Sequence, residues 1–190
     1  KGPRDFVTKT DKNVENTLIE ELSKNRKNYS FITEETGRIN NSNNEIFWII
    51  DPIDGTINFL HGVPHFAISI ALKSNNEIIS GLIFDPIKDE IFYAEKNNGA
   101  FFNNQRIRVS KKNKLNDCLF VTGGKIIKEP DLPYRKSGCA ALDMAYVAAG
   151  RYDGYFQKNL NLWDIASGIV LIKEAGGVIN DLDLNTHKNI

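Results

Sequence analysis

The sequence predicts a layered α+β fold built on a mostly antiparallel sheet. Three observations carry this. Alternating apolar segments follow one another between residues 66 and 102, separated by short turns bearing Asn, Asp or Gly, which is how a meander of strands is written. Helical periodicity is confined to a segment ahead of those strands and two behind them, which disfavours a regular strand–helix–strand alternation. The run from Phe47 to Ile50 is continuously apolar and of strand length, and it ends abruptly in Asp51. A strand buried on both faces reads this way.

Taken in order, Gly2-Pro3 marks a loop and residues 6–8 a short strand. Val14, Leu18, Ile19 and Leu22 recur at helical spacing up to about residue 27, with Thr10 or Asp11 as the expected N-cap. Residues 29–33 form a strand that runs into Glu34-Glu35, and 37–44 a polar loop before the strand at 46–50. Strands follow at 66–73, 77–84, 90–95 and 100–102, and further short ones are expected at 106–109 and 118–122. Residues 125–133 give no clear pattern. The Ala-rich segment 137–149 predicts a helix packed closely on a neighbour, and 155–157 a short strand. Ile165, Ile169, Ile172 and Ala175 share a face of a helix over 164–175 that Gly176-Gly177 stops, and 178–182 predicts a last strand.

Lys and Arg together number 24, as do Asp and Glu. Bulk charge therefore gives no support for a nucleic-acid or membrane partner. No apolar run approaches the ~20 residues of a membrane helix, and no signal peptide is recognisable. Cys118 and Cys139 lack metal-type spacing and read as reduced thiols of a cytoplasmic protein, in the core or lining a site.

The chemistry is concentrated at element ends. Glu34, Asp51, Asp54 and Asp164 each stand where an apolar element begins or stops. Brought together, such carboxylates repel and take up protons unless divalent cations compensate them. Oxygen-only ligation suits Mg²⁺, or Mn²⁺ in its place, rather than zinc. The Ile53 carbonyl points back toward the same space. Gly55 and Thr56 offer consecutive N–H groups at the start of a short helix, an anion site that a phosphate can approach closely. Plainer readings stand beside this one: an Asx-bonded turn for Asp51-Pro52-Ile53-Asp54, a helix cap for Asp164 and for Asp11, and a solvated loop for Glu34-Glu35.

Longer motifs add to this. Asp51-Pro-Ile-Asp-Gly-Thr56-Ile-Asn-Phe59, with Trp163-Asp-Ile-Ala-Ser-Gly168 and Glu174-Ala-Gly-Gly177, resembles the two signatures of the inositol monophosphatase family. The Glu34-Glu35 pair resembles the family's upstream acidic pair, and residues 137–154 look like its bacterial, SuhB-like branch. The match runs in order along nearly the whole chain.

The resemblance implies a layered α-β-α-β-α sandwich shared with fructose bisphosphatases. It also implies a Mg²⁺-dependent, lithium-sensitive phosphomonoesterase, usually a homodimer, acting on a small phosphate ester. One catalytic domain is then expected over 1–190, with a metal and phosphate lobe to about 122 and a substrate lobe after it. Carried residue by residue, Glu34, Asp51 and the Ile53 carbonyl would bind one Mg²⁺, and Asp51, Asp54 and Asp164 a second. A third, weaker site would use Glu34. Thr56 with Asp11 would orient the attacking water, Gly55 and Thr56 would hold the phosphate, and Gly138, Ala140 and Gln157 would lie along the polyol near Asp54 and Asp164.

Gln157 stands where the family usually has Glu, and Thr33 where Gly is common. The span 124–135 is shorter than expected, and the family's N- and C-terminal segments are expected to be absent from this chain. The alternative function, also implied by the SuhB-like branch, is a regulatory protein associated with RNA polymerase, with catalysis secondary.

Overall fold

The computed structural model describes residues 9–124, 132–180 and 184. Its largest feature is an eight-stranded sheet, preceded by α1 (Lys9–Asn25). The strands are β1 (Tyr29–Thr33), β2 (Gly37–Ile39), β3 (Asn43–Asp54), β4 (Ala67–Ser74), β5 (Glu77–Asp85), β6 (Glu90–Glu95), β7 (Gly99–Phe102) and β8 (Gln105–Arg106). Their spatial order is β2-β1-β3-β4-β5-β6-β7-β8, with α2 (Thr56–Leu60) between β3 and β4. Every neighbouring pair is antiparallel except β1 and β3, which run parallel. A second sheet, β10-β9-β11, is parallel and built from β9 (Phe120–Thr122), β10 (Tyr134–Lys136) and β11 (Gly154–Tyr155).

Two helices lie between the sheets: α3 (Ala140–Ala148) packs on β9, β11 and α4, and α4 (Leu162–Glu174) packs across β3 to β7. The layered fold expected from the sequence is therefore present. Nearly all of α4 is buried and apolar, including Leu162, Ile165, Ile169, Leu171 and Ile172, as a helix covered on both sides must be. Burial of each such side chain contributes roughly 1.5–3 kcal/mol.

Small residues set the spacing of the layers. A Cβ on Gly81 of β5 would come within 2.7 Å of Val170 and 2.8 Å of the Ser167 Cα. One on Gly168 would meet Met144 of α3 at 2.6 Å. The neighbour anticipated for the Ala-rich helix is thus α4. Ser69 and Ser167 hydroxyls join sheet to helix at 2.8 Å. At the end of α4 the Gly176 N–H donates to Lys173 O and the Gly177 N–H to Ile172 O, with Gly176 at φ +88. This is a full Schellman stop.

Several local expectations are corrected. Residues 37–39 are a strand, not loop, because Thr33↔Gly37 closes a hairpin on β1. β3 does not stop at residue 50 but continues through Asp54. Residues 107–109 carry no strand, and a 3-10 turn, Leu115–Asp117, precedes β9. β10 was not foreseen. Residues 178–180 carry no strand, and 181 and 182, like the segments 6–8 and 125–131, lie outside the described residues.

Candidate functional site

Parallel pairing of β1 and β3 makes the first half of the site. Thr33 pairs with Ile50, and the Glu34 N–H donates to Ile50 O at 3.2 Å. Glu34 and Asp51 are therefore the next residues of two adjacent parallel strands. Their carboxyls stand within hydrogen-bonding reach of each other. Asp51 is 1% exposed.

Asp54 is brought to the same place by an irregularity in β3. In a regular strand, residues three apart face opposite sides of the sheet. Here Asp51 pairs with Ser69 and Asp54 with Ala67, so three steps on β3 match two on β4. The extra residue is a bulge, and it turns Asp54 back toward Asp51. Pro52 is tolerated in this strand because β1 has already ended at Thr33, so no ladder partner is waiting for its missing N–H. The Asx-bonded turn is also present in part: Asp51 Oδ1 accepts from the Ile53 N–H at 3.1 Å.

The fourth acid comes from α4. The Asp164 carboxylate reaches back to the Asn161 N–H at 2.7 Å, the returning half of a capping box. The capping role read from the sequence is real, and it leaves the other oxygen for the site. Burial is the largest influence on all four acids, and the charges acting on them are mainly other carboxylates. Burial and Asp164 hold Glu34 at about 7. Burial, then Glu34, Asp54 and Asp164, push Asp51 well above the usual carboxylate range. Burial and Asp164 hold Asp54 at about 7. Burial holds Asp164 at about 6. Among the described residues, no three such side chains close around one point as a preformed metal cage would. Each acid instead leans on a nearby donor. The donor set still fits a hard divalent cation: it is all oxygen and densely anionic, with Asp51 buried and the other three half-buried.

The turn beyond Asp54 has its own constraints. Gly55 lies at φ +89, and a Cβ there would come within 3.1 Å of His65 O and 3.3 Å of Gly138 O. Thr56 Oγ1 donates to Ile53 O at 2.9 Å, so the carbonyl expected to face an ion is already aligned by the adjacent hydroxyl. Asn58 Nδ2 donates to His65 O at 2.8 Å and Ser137 O at 2.9 Å, tying α2 to the loop before α3. Gly55→Ala should cost about 2 kcal/mol from the left-handed backbone alone, with the crowding added. Urea unfolding measures it, and a loss below the error of the method would show that the turn can rearrange.

Gly138 lies exposed at φ +84 in that loop, and Ala140 opens α3 with its side chain 6% exposed. Gln157 Oε1 accepts from the Gly123 N–H at 2.9 Å and from the Tyr155 hydroxyl at 2.8 Å. The Tyr155 hydroxyl is pushed up by burial and then by the charges of Asp54, Asp143 and Asp164. A cleft of about 940 Å³ runs along Thr122, Gly124, Tyr155 and Gln157, and none of the four acids lines it. Asp11 is not the N-cap: α1 starts at Lys9, and Asp11 sits inside its first turn, 1% exposed. Helix α1 packs on β3, the strand of Asp51 and Asp54.

Three contributors were not anticipated as such. Asp54 Oδ2 accepts from the Cys139 thiol at 3.2 Å and from the Ala141 N–H at 2.5 Å, so it caps α3. Glu15, buried beside Asp11 on α1, binds backbone of the Glu34 turn. Tyr155 holds Gln157 through its hydroxyl, which also feels the charges of Asp54 and Asp164. Besides Cys139, Glu15 had a signal in the sequence: an acid four residues after Asp11, on the helix's inward side. Cys139 was expected in the core or lining a site, and it does both; Cys118 is buried and both thiols are free. No helix among the described residues is long and apolar enough to cross a membrane.

Comparison with known proteins gives consistent findings. The description of the inositol monophosphatase family matches residues 1–189. An inositol-1-monophosphatase of Mesorhizobium japonicum is 43% identical over 198 residues, covering 96% of this chain and 74% of that protein. The Nus factor SuhB of Haemophilus influenzae is 40% identical over 199 residues, covering 96% and 74%. The crystal structure of the extragenic suppressor protein SuhB from Bartonella henselae superposes with a TM-score of 0.88 at 45% identity, over 95% of this chain and 75% of that one.

Proposed function

Because this chain belongs to the inositol monophosphatase family, we propose that it is a Mg²⁺-dependent phosphomonoesterase acting on inositol monophosphate or a related polyol or sugar phosphate. The observation that supports this most is the convergence of Glu34, Asp51, Asp54 and Asp164 from three segments, the end of β1, the end of β3 and the start of α4, with Asp164 raising the pKa of the other three. Glu34, Asp51 and the Ile53 carbonyl would hold one ion, and Asp51, Asp54 and Asp164 the other, with Mn²⁺ an acceptable substitute and a weaker third site at Glu34. Bound there, the ions would neutralise the acids, lower the pKa of a water and stabilise charge on the phosphate.

The remaining work falls to the chain. The N–H groups that open α2 have no partner inside the helix, and with Gly55 they would hold the phosphate. The Thr56 hydroxyl and the Asp11 carboxylate would orient water for in-line attack on phosphorus, after which the P–O bond to the alcohol breaks. Gly138, Ala140 and Gln157 would face the alcohol. The test is phosphate release from inositol 1-phosphate, glycerol phosphate and a sugar phosphate, with and without Mg²⁺ and Li⁺. Release that requires Mg²⁺ and falls with Li⁺ is expected. No release from any ester at millimolar Mg²⁺ would remove the reading.

Gln157 offers a sharper probe. Its oxygen is engaged by Gly123 and Tyr155, so its NH₂ is what remains to meet a substrate. A glutamate would keep both bonds and present an acceptor instead. Gln157→Glu should shift kcat/KM toward hydroxyl-rich esters, by about tenfold relative to glycerol phosphate. Unchanged ratios across the panel would show that this position does not read the alcohol.

A second reading follows from the relatives named Nus factor SuhB: the chain would bind transcription machinery containing RNA polymerase, with turnover secondary. Capture of RNA polymerase that survives Asp51→Asn would favour it, and no capture by the parent would oppose it.

A further inference from the structure

Helix α1 carries two buried acids on its inner side. Asp11 and Glu15 are each 1% exposed, one helical turn apart. Glu15 commits both carboxylate oxygens to consecutive backbone amides of the turn after β1. Oε2 accepts from the Glu35 N–H at 2.9 Å and Oε1 from the Thr36 N–H at 2.9 Å. The same turn is fixed from the other side by the Glu34 N–H on Ile50 O at 3.2 Å. It is closed by Thr33 Oγ1 on Gly37 O at 3.2 Å. Glu34 is thus held between an anchor on β3 and an anchor on α1, with its carboxyl beside that of Asp51.

A buried carboxylate is costly unless charge-assisted bonds compensate it, and such bonds are short and directional. Two of them on adjacent amides leave the turn little freedom. We infer that Glu15 is a positioning residue: through the Glu35 and Thr36 amides it sets where Glu34 stands, and thereby how tightly the acidic site takes Mg²⁺. This rests on the ion-dependent site proposed above. It also means that one rigid helix places both Asp11 and the clamp on Glu34.

The test compares the parent with Glu15→Gln and Glu15→Asp. Gln is nearly isosteric, but it turns an NH₂ toward one of the two amides. Asp keeps the charge but is one methylene too short to span both. In the metal-free proteins, hydrogen exchange at the Glu35 and Thr36 amides should be at least about tenfold faster in both variants. The Mg²⁺ concentration at the midpoint of thermal stabilisation should rise by about tenfold. In phosphate release, the Mg²⁺ requirement should rise while kcat at saturating Mg²⁺ changes little. A parent-like midpoint in both variants overturns the inference. So does a parent-like Asp variant beside an impaired Gln variant, since charge alone would then be acting. A parent that Mg²⁺ stabilises but that releases no phosphate removes the phosphatase reading only, and the midpoints still decide the role of Glu15. A parent with no thermal response to Mg²⁺ overturns both.

Discussion

Asp51→Asn is expected to lower kcat/KM for phosphate release by more than about 10²-fold, beyond the range seen when an outer-shell partner of a metal ligand is lost. The metal-free variant should be at least as stable as the parent. The two halves of this expectation have one cause. Asp51 is 1% exposed and faces three other carboxylates, so in the absence of cations its charge opposes folding. The amide oxygen can still accept from the Ile53 N–H, and the NH₂ can donate to Glu34, so local geometry is kept. As the residue shared by both proposed ions, however, Asp51 cannot be replaced by a neutral group without weakening both. Purified variant and parent would be compared by phosphate release and by thermal melting without metal. Parent-like turnover would sink the assignment of Asp51, and a melting temperature several degrees lower would show that the acid serves structure instead.

The metal-free protein should lose stability as pH rises from about 4 to about 7 and change little above that. Glu34 and Asp54 titrate near 7 and Asp164 near 6 in the folded protein, against 4.5 for an ordinary Glu and 3.8 for an ordinary Asp. Between those limits the folded state binds more protons than the unfolded one, so stability falls with pH. A single group shifted this far would account for on the order of 3 kcal/mol. The four are coupled and do not sum. Mg²⁺ replaces the protons as counter-charge. It should therefore raise the melting temperature more at pH 8, where the acids are ionised, than at pH 5, where protons compete. Melting curves at the two pH values, with and without millimolar Mg²⁺, check this. A metal-free protein more stable at pH 8, or a larger Mg²⁺ effect at pH 5, would show that these acids are not the groups responsible.

The meander and the flanking helices were legible because each rests on a local signal: period-2 alternation in β4 to β6, and an apolar face closed by Gly176-Gly177 in α4. What escaped the sequence depends on contacts between distant segments. β2 is short and polar, and pairing with β1 makes it a strand. β10 exists through its pairing with β9, whereas β11 was expected at 155–157 and lies at Gly154–Tyr155. Pro52 suggested a turn, whereas its strand continues because β1 ends first. Motif and element ends pointed to Glu34, Asp51, Asp54 and Asp164, and the structure brings all four together. The partners that aim them were harder to see. The Asp54–Cys139 contact joins residues 85 positions apart, and the Asn58–Ser137 bond residues 79 apart. Asp11 read as a cap because Thr10-Asp11 precedes the apolar periodicity, but the helix begins two residues before Asp11, at Lys9.

The bond from Asp54 to the start of α3 has a consequence for cooperativity. The carboxylate that would contact an ion is the one that fixes Cys139 and Ala141, on either side of Ala140 and next to Gly138. Any event that draws Asp54 inward must be felt at that loop, and any ligand that shifts the loop must be felt at Asp54. Thermodynamic reciprocity then requires that ion and alcohol alter each other's affinity by the same factor. An ester whose alcohol presses on Gly138 would bind Mg²⁺-loaded and Mg²⁺-free protein differently even if it never touched the ion.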